Sequence, residues 1–433
     1  MPFRRELLHR ILVAAVGAAL PAAVRAVSTG GLGGLEGASG TAAGDAASGG
    51  SAPTNRDTIA AAIRHWDALG IHRSGTDVDT ATAGWLRDAA LQLGLDARLE
   101  TFTLRRRTPV AAVATLMDGT RFGGVPLFDA GETPVGGIEA RIGTDAAEIP
   151  VLQVPPYESL PGARALLALR DTGRHPAILA VTDDAAVLPG LALQNAEHFH
   201  APFGPPVLQL PSEALATLRA AAGSPVRVEV RFRTERVPAH NVRVDLPGRD
   251  PALEPLVIIT PRSSWWHSTS ERGGGIALWL DLLRMLTERP PLRPVIFSAN
   301  TGHELGHIGM QRFLDADESL VARAHAWIHL GANFAASLHP RVRLQASDAD
   351  LMDLAERAMT RHRAPPMVRT EPGTLPFGEA RDIHAGGGRY VSLLGSQGAF
   401  HHPDDRWPHA VDLQRTVDLA LAFREIVAAL AYR

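Results

Sequence analysis

The run His303-Glu304-Leu305-Gly306-His307 sets two imidazoles four residues apart with a carboxylate between them. This is the H-E-x-x-H pattern, in which both histidines bind zinc from one face of a helix and the glutamate activates water. Its surroundings argue against that use. A β-branched stretch at residues 294–298 runs into Asn300-Thr301-Gly302, and Gly302, Gly306 and Gly309 are poor residues for the long helix such a protease needs. A second reading starts from a sheet, because ligands of open α/β proteins collect in loops that follow the carboxyl ends of strands. Four such loops are rich in polar groups: residues 262–272, His303-Glu304, residues 329–333 and residues 401–405.

Those loops need an α/β frame, and the hydrophobic pattern supplies one. Strand-like runs at 256–259, 295–299, 326–330 and 390–394 alternate with helical patterns at 276–286, 310–314, 348–362 and 412–432. Upstream, helices are expected at 59–69 and 80–93, the second stopped by Gly94, with a strand at 97–104. The predicted fold class is therefore α/β, with a mixed, mostly parallel central sheet covered by helices on both faces. Between 108 and 235 the chain changes to short β-like runs separated by proline and glycine. This reads as a β-rich insert that splits the α/β domain into residues 54–107 and 236–433.

Composition removes several chemistries. The 433 residues contain no cysteine, and all 43 basic residues are arginine, so thiol nucleophiles, disulfides, Schiff bases and P-loop lysines are excluded. A formal net charge of -3 gives no field that points to nucleic acid. Residues 1–26 carry Arg4 and Arg5, an apolar run over 11–24 and small residues ending at Ala26, the order of a secretory signal. The expected protein is exported to the periplasm or beyond, with no membrane span in the mature chain. The Gly, Ser and Ala that dominate residues 27–53 read as a flexible linker.

At this point the chain resembles the zinc-dependent exopeptidases of the bacterial aminopeptidase and glutaminyl-cyclase type fold, with an inserted protease-associated domain. The resemblance runs through the Arg73-Ser74-Gly75-Thr76 turn, the insert, His240-Asn241-Val242, Leu246-Pro247-Gly248 and the four loops. It implies a site that usually holds two metals. The family's H-x-D falls on Arg262-Ser263-Ser264 and a later aspartate on Gly331, so both private ligands of the first metal are missing. The D-N-x-x-G motif falls on Glu271-Arg272-Gly273-Gly274-Gly275, the E-E pair on His303-Glu304, and the H-T-P-x-D motif on His401-His402-Pro403-Asp404-Asp405. The ligands of the second metal keep coordinating residue types as Glu271, Glu304 and His401.

What the resemblance implies is an exported hydrolase of peptide or small amide bonds that uses one zinc ion. His303 stands where the family has its general base and would handle protons. Arg262 would supply fixed charge in place of the lost cation. Arg272, Trp266 and His402 would contact substrate, and Asp405 would support the ligands from behind. Other readings stay open: Glu271 paired with Arg272, Glu304 and His401 satisfying one another as a buried acid and imidazole, and His303 as a structural hydrogen-bonder. The corresponding functions are a catalytically inactive binding or structural module without metal, and an H-E-x-x-H protease.

Overall fold

In the computed structural model, which describes residues 55–433, the βα rhythm resolves into a sheet of 14 strands. The predicted signal and linker lie outside the described residues. Helices α1 (Asn55–Leu69) and α2 (Asp77–Gln92) come first, the second started by the Thr76 side chain accepting from the Asp79 amide. Strand β1 (Asp96–Leu116) leads into β2 (Arg121–Gly123), β3 (Val125–Pro126), β4 (Ile138–Gly143) and β5 (Ile149–Val154). Then come α3 (Pro161–Thr172), β6 (Ile178–Thr182), β7 (Val207–Leu210), α4 (Ala214–Ala220) and β8 (Pro225–Leu246).

The chain continues through β9 (Leu256–Pro261), α5 (Thr269–Glu288), β10 (Val295–Asn300), a 3-10 turn (His303–Leu305), α6 (Ile308–Ala316), α7 (Leu320–Arg323) and β11 (Ala326–Leu330). It closes with β12 (Arg341–Ala346), α8 (Ala349–Arg361), β13 (Val368–Arg369), α9 (Ala380–Ala385), β14 (Tyr390–Ser396) and α10 (Leu413–Ala431). The order across the sheet is β13-β12-β14-β11-β9-β10-β8-β4-β5-β6-β7-β3, with β1 paired to β8 and β2. Strands β10, β9, β11 and β14 run parallel, whereas β8 and β12 join that block antiparallel. Every residue of β9, β10 and β11 is buried, as strands covered on both faces require. The sheet is mixed and helix-covered, as expected from the sequence.

Glycine sets how closely α5 lies on that sheet. A Cβ added at Gly275 would sit 2.6 Å from the Thr260 hydroxyl and 3.0 Å from the Leu330 carbonyl. Three consecutive glycines weaken a helix by about 1 kcal/mol each relative to alanine, but here the bare backbone lets the first turn of α5 reach the strand ends. That turn carries Glu271 and Arg272.

The predicted insert boundaries at 108 and 235 fall within continuous strands. β1 and β8 pair antiparallel from Asp96 with Asp245 to Leu116 with Val226, with a register shift only between Pro109 and Ala111. The segment between them has its own apolar clusters, one around Leu179, Leu208 and Val228 and another around Leu152, Leu166 and Ile178. Among the described residues no helix is long and apolar enough to cross a membrane.

Candidate functional site

The loops after β9, β10 and β14 meet the first turn of α5, so the tertiary structure gathers Ser263, Glu271, Arg272, His303, Glu304 and His401 at the carboxyl ends of the parallel strands. A cation already stands between the two glutamates. The Arg272 Nη2 donates to Glu304 Oε1 at 2.7 Å and lies 2.9 Å from Glu271 Oε1. The same guanidinium donates from Nε to the Ser263 carbonyl at 2.8 Å, and the Ser263 hydroxyl donates to the other Glu304 oxygen at 2.7 Å. Both oxygens of Glu304 are thereby engaged. Burial works against charge on Glu271, but the neighbouring Arg272 guanidinium and His401 outweigh it and hold the carboxyl below its usual range. Burial likewise acts against the Arg272 charge, and Glu271 and Glu304 more than offset it.

His401 completes the group. Its Nδ1 donates to the Leu193 carbonyl at 2.7 Å, and its Nε2 faces Glu271 Oε1 at 3.5 Å. Asp405 sits behind α5 and accepts from the amides of Ser270 and Glu271 at 2.8 and 3.0 Å, so it fixes the helix start. Burial, first of all, pushes its carboxyl up to about 7.

Arg262 is placed elsewhere than the sequence suggested. Its guanidinium is fully buried and donates from Nη1 to the Asp79 carboxylate and carbonyl, both at 2.7 Å, and from Nη2 to the His240 carbonyl. It ties α2 to the end of β9 and presents no charge to a ligand. Asp79 was missed because it sits in the first turn of a helix, where an acid ordinarily serves the helix end. It also accepts from Gly75 N and the Thr301 hydroxyl.

His303 and His307 do not form the zinc-binding pair of a helical H-E-x-x-H site. Gly302, Gly306 and His307 all have positive φ, so the pentapeptide is a turn and not a helix. The rings stack at 4.7 Å, and their Nδ1 atoms go to separate acids, His303 to Glu379 at 3.3 Å and His307 to Asp382 at 2.8 Å. Burial and then Arg272 push the His303 imidazole well below its usual range. Glu379, at the start of α9, had no motif to signal it. It is fully buried, and burial, first of all, raises it to about 7.

The expected substrate contacts are also taken up internally. Trp266 donates its indole N–H to the His401 carbonyl at 2.8 Å, and His402 Nε2 meets the Pro189 carbonyl at 2.9 Å. Gly331, where the family's aspartate would fall, has no room for one: an added Cβ would lie 2.9 Å from the His329 ring and 3.0 Å from the Leu393 carbonyl. Residues 188–196 then lace over the group, with Leu188 N donating to Gly398 O at 2.7 Å and Ala196 N to Glu304 O at 2.8 Å. The result is a buried constellation. A surface depression of about 570 Å3 bounded by Asp348, Asp350, His384 and Arg389 shares none of its residues.

The architecture has solved counterparts. A zinc aminopeptidase from Bacillus subtilis superposes with a TM-score of 0.70 at 14% identity, covering 88% of this chain and 96% of its own. The fold is aminopeptidase-like. An aminopeptidase from Aneurinibacillus sp. strain AM-1 gives a TM-score of 0.64 at 13% identity over 87% of this chain and 94% of that one. A peptidase M28 precursor from Shewanella amazonensis SB2B gives 0.65 at 14% identity over 88% and 97%. Neither a family model nor a curated protein matches the sequence.

Whether this aminopeptidase-like chain suits zinc depends on its donor set. A catalytic zinc needs three protein ligands with free lone pairs and an open position about 2 Å away. Glu304 has both oxygens engaged, and Arg272 Nη2 occupies the space between the two carboxylates. Among the described residues no group of three or more acids, histidines or cysteines is arranged to hold a metal ion. The residues as placed do not fit the ion.

Proposed function

We propose that this chain is a metal-free binding module built on the aminopeptidase-like fold, in which the Arg272 guanidinium replaces the catalytic cation. The observation that carries the reading is Arg272 Nη2 at 2.7 and 2.9 Å from the two glutamates that would otherwise bind metal. Three features support it: the crowded Gly331, the internal pairing of Arg262 with Asp79, and the backbone laced over His401 and Glu304. Elemental analysis tests it. Protein purified without a histidine tag, incubated with excess zinc and desalted, is expected to retain far less than one zinc per chain. Stoichiometric zinc would sink the proposal.

A second reading is an exported, single-zinc hydrolase of peptide or amide bonds. It is favoured by three buried atoms that lack hydrogen-bond partners among the described residues, both Glu271 carboxylate oxygens and His401 Nε2, the last 3.5 Å from Glu271 Oε1. For that reading Arg272 must leave the carboxylates, and the zinc assay decides between the two.

Export is part of either reading, with cleavage after Ala26 on the strength of the charged, apolar and small-residue order of residues 1–26. Sequencing the amino terminus of secreted material should start at or near Val27. A mature chain that keeps Met1 would refute it.

A further inference from the structure

We infer that the crevice beside Glu304, between the β1 and β8 ribbon and the loop after β9, is a binding site for an apolar monocarboxylate. The inference deepens the proposed binding role by naming its ligand class. Arg73, Arg106, Arg107, Trp265, Phe128 and Leu305 are among the residues that line it.

The crevice carries donors without acceptors. Trp265 is almost fully buried, yet among the described residues its indole N–H has no partner, and neither has the buried Nε of Arg106. Arg73 lies with its guanidinium 4.4 Å over the Phe128 ring, and among the described residues its side chain makes a single, long hydrogen bond of 3.5 Å to the Arg107 carbonyl. Among the described residues no carboxylate pairs with it. Burial, followed by Arg106, pushes its guanidinium down to about 10, which keeps it cationic at neutral pH.

The acids nearby are already paired, two of them with Arg106 and Arg107 of the lining itself. Glu304 gives its oxygens to Arg272 and Ser263, Glu235 pairs with Arg106 at 3.3 Å, and Glu132 pairs with Arg107 at 3.2 Å. Buried indole and guanidinium groups can only donate, and a buried donor without an acceptor is costly, so the missing partner is an acceptor, and the Arg73 cation in the same lining favours one that carries negative charge. A carboxylate matches the fork of an arginine better than a spherical anion does.

Size and lining narrow the class. The enclosed space is about 20 Å3, room for one carboxylate head and not for a peptide. Phe128, Phe199 and Leu305 are buried and give the crevice an apolar wall that suits a short hydrocarbon or aryl tail, while the half-buried Arg73, Arg106 and Arg107 are its more exposed lining.

The test is calorimetric titration of the mature chain with phenylacetate, its methyl ester and inorganic phosphate. Saturable 1:1 binding of phenylacetate is expected, at least tenfold tighter than either of the others. Arg73→Met should weaken it tenfold or more, and Trp265→Phe severalfold, with melting temperatures close to wild type. Should Arg73→Met fail to fold, Arg73→Lys keeps the charge over Phe128 but loses the fork, and it should still bind more weakly than wild type.

Equal affinity for the ester, tighter binding of phosphate, unchanged binding by the Arg73 variants, or no saturable heat from wild type would each overturn the proposal. Titrations repeated after chelation should give the same affinity. Loss of binding on chelation would place the carboxylate on a metal and overturn this site, whereas the zinc content measured separately decides the metal-free reading.

Discussion

Replacing Arg272 by alanine should lower the unfolding free energy by about 3–5 kcal/mol, the scale for removing one partner of a buried ion pair. The side chain is 1% exposed and its Nη2 serves two carboxylates at once, so its loss leaves Glu271 and Glu304 facing each other with only the Ser263 hydroxyl on Glu304. Two uncompensated charges in that setting cannot both persist, and one acid must take up a proton or the loop must open. Zinc should then act differently on the two proteins. In the variant, a divalent cation can enter the space vacated by Arg272, and at a hundredfold excess over its dissociation constant it would restore about 2.7 kcal/mol. In the wild-type chain, zinc should leave the denaturation midpoint unchanged. Urea unfolding with and without zinc measures both effects. Stabilisation of the wild-type chain by zinc, or a cost below about 1 kcal/mol for the substitution, would remove the resident-cation explanation.

Breaking the Arg262–Asp79 pair is expected to be nearly as damaging. Both side chains are completely buried, and the guanidinium donates two hydrogen bonds to Asp79 that hold α2 against the end of β9 and a third to the His240 carbonyl of β8. Arg262→Met should cost about 3 kcal/mol, at the lower end of the range for a buried pair. The lower end applies because Asp79 would keep its bonds from Gly75 N and the Thr301 hydroxyl. The double variant Arg262→Met with Asp79→Leu removes both charges and should be less destabilised than the sum of the single variants. A coupling of about 1–3 kcal/mol in a double-mutant cycle is the expected result. Strict additivity would show that Arg262 is held by something other than Asp79. Measured alongside, ligand binding in the Arg73 crevice should survive in any variant that folds, since Arg262 faces α2 and not a ligand.

The difference between the expected and observed sites lies in where long side chains end. Glu271, Glu304 and His401 are brought together as the motif positions suggested, because each sits within a few residues of a strand or helix end whose place follows from the βα alternation. The short reach of a glutamate or histidine leaves little freedom once the backbone is set. Arginine is longer. Arg262 and Arg272 could each have pointed to solvent, to a ligand or to a buried acid, and the sequence position does not distinguish these. Trp266 and His402 differ from expectation for a related reason, since backbone carbonyls of His401 and Pro189 took the donors that seemed free for a ligand.

The sequence by itself determined the fold class, since period-2 and period-3.6 apolar patterns leave few ways to bury their faces other than a helix-covered mixed sheet. It also determined which chemistries are absent, through the lack of cysteine and lysine, and which residue types stand at the strand ends. Only the tertiary structure decided that Arg272 fills the space between two glutamates, and that Arg262 spends its charge on an aspartate 183 residues away. It alone placed residues 188–196 over His401 and left Arg73 without an acid among the described residues. Those outcomes depend on contacts between segments far apart in the chain, where the cost of an unpaired buried charge or donor selects the partner, and that cost exists only once packing has removed the water.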